Sequence, residues 1–289
     1  MAAASPAIIS VIGRDQKGVV SKVSTYLAEQ GVNIENIDQK VMEGLFIMTM
    51  LVDLAELTSS LDELVMNLKA IGEQVHMDIT VRLHGERRRK KVAILVSRET
   101  HCLEHIALSH RGGDIEADLS LVLSNHQDAA PVAEEYSLPF RYFPSSDKAA
   151  HMDFVYKELD ALRPDLVVLA RYMQILPARV VRRFRNRMIN IHPSLLPHFP
   201  GANAYKQAHE DGVRVCGCTA HFVTEELDQG PIVLQDVFHI DVGEDTLENI
   251  RARGQKLEAE VLTRAVKLFV SDQLVPADNK VLFRPGRVD

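Results

Sequence analysis

The sequence predicts an α/β protein in which a ferredoxin-like N-terminal module of order βαββαβ precedes a larger domain with a doubly wound parallel sheet. Its 289 residues exceed the usual length of one domain, so two domains are expected. Up to Leu83, four β-prone runs alternate with two amphipathic helix patterns. Beyond the five basic residues at 87–91, short apolar strands alternate with helices, which is typical of a parallel sheet that helices cover on both faces.

The first strand and helix of the module follow each other closely. Residues 7–12 form an apolar, β-prone run, and Gly-Arg-Asp at 13–15 ends it. Asp15 is expected to cap the helix and Gly31 to end it. The helix itself is predicted by apolar residues at three- and four-residue spacing, namely Val19, Val20, Val23 and Leu27.

The rest of the module completes an antiparallel sheet. Strand patterns at 33–41 and 45–52 are separated by three residues, which suits a hairpin. Ser60 and Glu63 form a capping box that opens the second helix. Residues 75–83 are predicted to be the fourth strand. Both helices are therefore expected on one side of the sheet.

The run of basic residues marks a domain boundary. We place the module at residues 1–84, a basic linker at 85–91 and the second domain at 92–289. A solvated linker is favoured over a nucleic-acid patch, because the run lacks interleaved aromatic residues. The second domain is predicted to contain strands at 92–96, 119–123, 166–170, 188–191, 213–223 and 231–240, and a long helix from about Thr246 to Ser271.

The composition excludes several classes of protein. A net charge of −7 disfavours nucleic acid as a partner, and a membrane-spanning run of about 18 apolar residues does not occur. Three cysteines are too few for a disulfide framework in a chain of this length, and a signal-peptide pattern is not evident at the start. We therefore expect a cytoplasmic protein that binds neither nucleic acid nor membranes.

The densest group of unusual residues follows the predicted strand at 188–191. Asn190 and His192 are two residues apart, so on an extended segment both side chains point to the same side. An amide donor beside an imidazole suits an oxyanion. The alternative is structural: Asn190 satisfies backbone groups and His192 caps the end of the strand.

A second group lies in the acidic loop after residues 219–223. Asp228 follows the apolar Leu227 and precedes a rigid Gly230-Pro231 exit. A carboxylate in a loop is usually solvated, but one held in this way over a pocket can act as a base.

Together these two groups resemble a known family. The sequence Asn-Ile-His-Pro-Ser-Leu-Leu-Pro at 190–197, paired with His-Phe-Val-Thr-Glu-Glu-Leu-Asp-Gln-Gly-Pro at 221–231, is similar to the formyltransferases that use 10-formyltetrahydrofolate. The resemblance implies a Rossmann-like domain in which Asn190, His192 and Asp228 are catalytic. It also implies folate contacts from a strand end and two loops, namely Arg171, Tyr172, Met173, Gln174, Ile175, Leu176, His221, Thr224, Glu225 and Glu226.

The N-terminal module resembles an ACT domain, the small regulatory module that binds amino acids at its interfaces. The resemblance rests on Gly-Arg-Asp-Gln-Lys-Gly-Val-Val at 13–20 and Asn-Ile at 33–34. It implies an amino-acid effector and a homo-oligomer, either a dimer or a tetramer. Within the family, this module precedes the catalytic domain in the branch that uses water as the acceptor.

The acceptor is indicated by the loop after the first strand of the second domain. Residues 97–103 contain no glycine, so close approach of the backbone to a substrate phosphate is poorly provided for. The resemblance then implies hydrolysis of 10-formyltetrahydrofolate to tetrahydrofolate and formate, which supplies formate to purine biosynthesis and balances one-carbon pools. The alternative is transfer of the formyl group to an amine, either a sugar amine or a nucleotide, as the transferase-like Pro193-Ser194 suggests. A third hypothesis is a regulatory protein with a degenerate enzyme domain. The presence of Asn190, His192 and Asp228 disfavours it.

Two cysteines and a histidine lie close together in the sequence at 216–221, as ligands of a metal site would. Cys216 and Cys218 share one face of a predicted strand, whereas His221 lies on the other, so the three do not converge. We expect no metal and no prosthetic group, with folate as a substrate only.

Overall fold

The computed structural model describes residues 6–83, 88–198 and 204–284. The chain forms two compact units: the first holds the described residues up to Arg88 together with Phe283 and Arg284, and the second runs from Arg89 to Leu282. The first unit contains one antiparallel sheet of strand order β2-β3-β1-β4. Its elements are β1 (Ala7–Arg14), α1 (Val19–Glu29), β2 (Asn33–Met42), β3 (Leu45–Asp53), α2 (Leu61–Gln74) and β4 (Met77–Leu83). The predicted βαββαβ order is confirmed.

Apolar side chains of both helices and of the central strands form the core of the first unit. Ile9 and Val11 of β1 are fully buried against Leu27 of α1 and Leu64 and Leu68 of α2. Burial of each such side chain contributes about 1.5–3 kcal/mol.

One of the two predicted helix caps is confirmed and the other is wrong. Ser60 Oγ accepts a hydrogen bond from the Glu63 amide at 3.2 Å, as a capping box requires. The cap position of α1 is held by Gly18, not by Asp15. The Asp15 amide instead donates to the Gly44 carbonyl at 2.8 Å, so Asp15 belongs to the turn beside the β2–β3 hairpin.

The second unit is built on a seven-stranded sheet of order β11-β10-β9-β8-β5-β6-β7. Strands β5 to β9 pair in parallel, whereas β10 is antiparallel to both of its neighbours. The strands are β5 (Lys90–Val96), β6 (Ala117–Ser124), β7 (Phe140–Tyr142), β8 (Leu166–Ala170), β9 (Met188–His192), β10 (Val215–Phe222) and β11 (Ile232–His239). The helices are α3 (His101–Arg111), α4 (Ala130–Glu135), α5 (Lys148–Leu162), α6 (Ala178–Arg183), α7 (Ala204–Glu210) and α8 (Leu247–Val270), and a hairpin of β12 (Leu274–Ala277) and β13 (Lys280–Phe283) follows.

Helices cover both faces of this sheet, as the apolar strands predict. In β5, Val92 and Ile94 pack into a core with residues of α3 and α8, whereas Ala93 and Leu95 pack into a second core with residues of α5 and α6. The predicted start of the long helix is also confirmed, because Thr246 caps α8. Among the described residues, no helix has both the length and the apolarity of a membrane span.

The predicted linker extends too far at its C-terminal end. Lys90 and Lys91 belong to β5, and residues 84–87 lie outside the described part of the chain. The Lys90 ammonium pairs with Asp272, and the Lys91 amide donates to the Asp165 carboxylate at 2.8 Å. Lys90 fits this strand because acceptors from a distant segment, the Asp272 carboxylate and the Phe269 carbonyl, meet its ammonium group.

Candidate active site

The candidate catalytic residues lie where the parallel part of the sheet meets its antiparallel part. Asn190 and His192 are at the C-terminal end of β9. Pairing with antiparallel β10 sets His221 opposite Asn190 and Thr219 opposite His192. Ligand sites of open α/β sheets lie beyond the carboxyl ends of the strands, which is the position of these side chains.

Asp228 joins this group from the loop that follows β10. Its Oδ2 lies 3.3 Å from His192 Nδ1, and its Oδ1 lies 3.8 Å from His221 Nε2. The Asn190 side chain is linked through His221, because its Nδ2 lies 3.2 Å from His221 Nε2. The structure therefore brings Asn190, His192 and Asp228 together, with His221 as the residue that connects them.

The hydrogen bonds of His221 define its protonation state. Nδ1 lies 3.0 Å from the Phe222 carbonyl oxygen, which only accepts, so Nδ1 carries a proton. Burial lowers the pKa of His221, although the hydrogen bond to Phe222 and the charge of Asp228 oppose this effect. Neutral His221 therefore accepts from the Asn190 amide through Nε2, and this contact uses only one of the two N–H donors of Asn190.

The loop that carries Asp228 is tightly folded against β10. Asp228 adopts a left-handed backbone conformation with φ of 56°. A Cβ atom on Gly230 would lie 1.7 Å from the Phe222 carbonyl oxygen, so only glycine fits there. The Phe222 amide donates to the Pro231 carbonyl at 2.9 Å. Leu227 is 60% exposed, so it covers Asp228 less than its apolar side chain suggested.

Two residues that the sequence analysis missed hold the segment after His192. The buried Thr219 hydroxyl donates to the Ser194 carbonyl at 2.7 Å and accepts from the Leu196 amide at 3.0 Å. Gln235 Nε2 contacts both the Thr219 hydroxyl, at 2.9 Å, and the Leu196 carbonyl, at 3.0 Å. A threonine two residues before His221, on the same strand face, was the available signal.

The predicted folate segment 171–176 is divided between core and surface. Tyr172 and Leu176 are buried in the core beneath β8, whereas Met173 and Ile175 are 56% and 63% exposed. Gln174 is half-buried. The Met173 amide donates to the buried Ser97 hydroxyl at 2.9 Å, which ties the segment to the end of β5.

The other predicted folate contacts, apart from His221, lie on the exposed part of the Asp228 loop. Glu225 forms a bidentate ion pair with Arg182, with both distances at 2.7 Å. The Thr224 hydroxyl donates to the Glu226 carbonyl at 3.0 Å, which shapes the turn.

Arg171, the first residue of the folate segment, belongs to a separate buried group. Its Nε lies 2.6 Å from Glu99 and 3.3 Å from Glu258. His101, Cys102 and Glu258 also have polar atoms within 4.8 Å of one another, as a metal site would. However, Arg171 already supplies a positive charge there, and burial raises the pKa of the Cys102 thiol well above its ordinary value. This group fits an ion-pair network better than a metal site.

The cysteines that the sequence analysis weighed as metal ligands lie apart. Cys216 and Cys218 belong to different core clusters, and His221 lies against Asp228. Alternation along β10 places His221 on the face opposite to both cysteines.

Comparison with known proteins covers both units. A formyl transferase family model matches residues 90–266, and an ACT domain model matches residues 5–82. A formyltetrahydrofolate deformylase of Bacillus subtilis is 38% identical over 274 residues, which cover 93% of this chain and 90% of the relative. A formyltetrahydrofolate deformylase of Escherichia coli O6:H1 is 32% identical over 289 residues, which cover 95% of this chain and 97% of the relative.

Solved structures agree with this assignment. The crystal structure of a formyltetrahydrofolate deformylase from Pseudomonas syringae pv. tomato matches 98% of this chain and 95% of its own, with a TM-score of 0.87 and 33% identity. Glycinamide ribonucleotide transformylase 1 from Symbiobacterium toebii, also 33% identical, matches 70% of this chain and 96% of its own, with a TM-score of 0.65. The chain belongs to the formyl transferase family and, within it, to the formyltetrahydrofolate deformylases, whose members it matches across both units.

Proposed function

We propose that this chain hydrolyses 10-formyltetrahydrofolate to tetrahydrofolate and formate, with Asp228, His192 and Asn190 as its catalytic residues. The observation that carries the proposal is the position of the Asp228 carboxylate, 3.3 Å from His192 and 3.8 Å from His221, beside the Asn190 amide. A base, an imidazole and an amide donor at one strand end are the groups that hydrolysis of a formamide requires.

The reaction needs a nucleophile, a place for negative charge and a proton for the leaving nitrogen. Asp228 takes a proton from water as the water oxygen bonds to the formyl carbon. The charge that develops on the formyl oxygen is stabilised by His192 and by the second N–H of Asn190. The C–N10 bond then breaks as N10 takes up the proton, tetrahydrofolate leaves, and the formic acid loses its remaining proton to solvent to give formate.

Water is favoured over an amine as the acceptor by the ends of β5 and β6. Residues 97–103 contain no glycine to bring backbone amides close to a phosphate. The Ser97 hydroxyl donates to Asn125 Oδ1 at 2.8 Å, and Asn125 Nδ2 donates to Ser145 at 3.1 Å. Ser97 and Asn125 are buried and bonded to each other, so they are poorly placed for a nucleotide acceptor.

Folate binding is assigned to segment 171–176 and to the Asp228 loop. Met173 and Ile175 offer exposed apolar side chains for the flat ring system, and Gln174 lies between them. Tyr172 and Leu176 support the segment from the core. In the loop, the ligand is expected to meet His221, Thr224, Glu225 and Glu226. Glu225 would have to retain or exchange its pairing with Arg182.

The ACT unit is assigned an amino-acid effector and a role in homo-oligomer formation. Strand β2 lies at the edge of its sheet, and nearly all of it is exposed, with Ile37 and Val41 both 44% exposed. An exposed edge with apolar side chains suits pairing with a second copy. The three buried free thiols, Cys102, Cys216 and Cys218, suit the reducing cytoplasm.

Acceptor-free release of formate tests the function. Purified protein with 10-formyltetrahydrofolate alone should release formate and tetrahydrofolate in equal amounts. Asp228→Asn should lower kcat by about 10²–10⁴-fold, the usual contribution of a general base, because the amide cannot take the proton. Asparagine suits the test since it tolerates the left-handed conformation at this position.

The matched control is Asp160→Asn, the same change at an exposed residue of α5 that pairs with Arg183. It should keep the wild-type kcat. If turnover of 10-formyltetrahydrofolate occurred only after an amine was added, the acceptor would be the amine, and the proposal of hydrolysis would be wrong.

A further inference from the structure

Glu258 is a buried carboxylate outside the Asp228 group, and the proposed mechanism does not use it. It lies in the middle of α8 with an exposed fraction of 0%. Its oxygens lie 2.5 Å from the Tyr205 hydroxyl, 3.2 Å from His101 Nε2 and 3.3 Å from Arg171 Nε. A buried charge with this many partners indicates a specific task, since burying a carboxylate is costly unless it is fully paired.

The Arg171 contact links Glu258 to the proposed folate segment. Arg171 is the first residue after β8, and its φ of 60° is unusual for a residue other than glycine. Its Nε lies between two carboxylates, those of Glu99 and Glu258. A residue other than glycine keeps this conformation only where its surroundings constrain it, and the paired guanidinium supplies such a constraint at the point where segment 171–176 leaves the sheet.

The Tyr205 contact shows that α8 is shaped around this network. Gly254 lies one helical turn before Glu258, and a Cβ there would lie 2.2 Å from the Tyr205 ring. Glycine at this position makes room for the ring, so that its hydroxyl reaches the carboxylate. Tyr205 is in α7, in the connection between catalytic strand β9 and β10.

The charges of the network are consistent with an ionised Glu258. Burial on its own raises the pKa of this carboxyl group, but the hydrogen bond from His101 and the charge of Arg171 outweigh it and hold the pKa below its ordinary value. Burial raises the pKa of the Tyr205 hydroxyl, which therefore remains a donor.

We propose that Glu258 is a positioning residue for the folate substrate, holding Arg171 and through it segment 171–176 in the conformation that binds folate. This inference rests on the proposed role of that segment. Glu258 does not touch the reacting atoms, so its removal should affect substrate binding more than the chemical step.

Glu258→Gln in the full-length chain tests the inference. The amide keeps the shape and can still accept from Tyr205, but it loses the charge and turns N–H groups towards donors. We expect KM for 10-formyltetrahydrofolate to rise about tenfold and kcat to change less than about threefold. Amide hydrogen exchange should become faster at residues 172–176 in particular. The matched control is Glu248→Gln, at an exposed position in the first turn of α8, which should change neither quantity.

Glu99→Gln serves as a second variant in case Glu258→Gln does not fold. Glu99 is the other carboxylate on Arg171 and its side chain is 38% exposed, so its loss should be tolerated, with a KM increase of about threefold. Unchanged exchange at 172–176 and unchanged KM would overturn the proposal. Faster exchange with unchanged KM would show that segment 171–176 does not bind folate, which also overturns the proposal for Glu258. The proposed hydrolysis, tested by acceptor-free formate release, would not be affected.

Discussion

Two buried groups of ionisable side chains lie in the second unit, and they differ in how closely their carboxylate is paired. Donors lie 2.5–3.3 Å from the Glu258 oxygens. Among the described residues, the Asp228 oxygens are met by imidazole nitrogens at 3.3 and 3.8 Å. The closely paired carboxylate is fixed, whereas Asp228 keeps lone pairs for water.

The two groups also differ in how their chain segments are constrained. Glu258 lies on a long helix, where the backbone is fixed by its own hydrogen bonds. Asp228 lies on a loop whose course depends on a left-handed residue and a glycine in close contact with β10. The position of the Asp228 carboxylate therefore depends on backbone fit, whereas the Glu258 network depends on charge and hydrogen bonds.

Among the variants that test this comparison, the one with the largest expected effect tests the backbone fit of the Asp228 loop. In Gly230→Ala the added methyl group would collide with the Phe222 carbonyl, so the Asp228 loop must move away from β10. A displacement of about 1 Å can cost about 10²-fold in rate, so kcat for formate release should fall at least about 100-fold. The clash should also lower the free energy of unfolding by about 1–3 kcal/mol, measured by urea denaturation.

Gly243→Ala is the control for this change. A Cβ there meets its nearest neighbour, Asp241 Oδ1, at 3.7 Å, an ordinary contact. Its kcat and stability should remain close to those of the wild type. A Gly230→Ala protein with wild-type kcat would show that the position of the Asp228 loop does not limit the reaction.

The next largest expected effect is a loss of stability in the Glu258 network. Tyr205→Phe removes one hydrogen bond to the buried Glu258 carboxylate and leaves the ring in the space beside Gly254. Hydrogen bonds to charged groups contribute about 1.5–3 kcal/mol, so the free energy of unfolding should fall by about that amount. Because Tyr205 does not belong to the Asp228 group, kcat should change less than about threefold.

Tyr142→Phe, at an exposed tyrosine of β7, is the matched control and should leave stability unchanged. A kcat loss in Tyr205→Phe as large as that expected for Gly230→Ala, without loss of stability, would mean that the two groups work as one.

The sheet and its helices could be predicted because their signals are local. Fully apolar strands such as Leu166–Ala170 indicate burial on both faces. Ser60 and Thr246 mark helix starts, because each side chain accepts a hydrogen bond from the backbone amide three residues further along the chain. The Asp15 cap was wrong because α1 begins four residues later, at Val19 after the left-handed Gly18, and the Asp15 amide bonds to Gly44 of a neighbouring hairpin. Lys90 was misassigned for the same reason, since Asp272 is 182 residues away.

The convergence of Asn190 and His192 was predictable from a single strand, whereas Asp228 was joined to them by the family resemblance of two separate segments. Asn190 and His192 share one strand, and β10 brings the Asp228 loop beside them. Glu258 carries no such signal, because a glutamate in an amphipathic helix is usually solvated and its partner His101 lies 157 residues away. Its burial follows from tertiary packing alone.

The smallest expected effect is a pH dependence of the free energy of unfolding, which tests whether His221 and Asp228 form an ion pair. Burial lowers the pKa of His221 from its ordinary 6.5, so as pH falls the unfolded chain protonates at His221 before the folded chain does. The free energy of unfolding should therefore be constant in this respect above about pH 6.5 and fall below it, by at most about 1.4 kcal/mol per pH unit.

Urea denaturation of the wild type and of His221→Gln between about pH 8 and about pH 5 isolates this contribution. Glutamine does not titrate and can still accept from Asn190, whereas His151, whose pKa burial also lowers, titrates equally in both proteins. The stability advantage of the wild type should shrink as pH falls below about 6.5. If it grew instead, protonated His221 would be paired with Asp228 across their 3.8 Å separation, and the contrast with the Glu258 network would be lost.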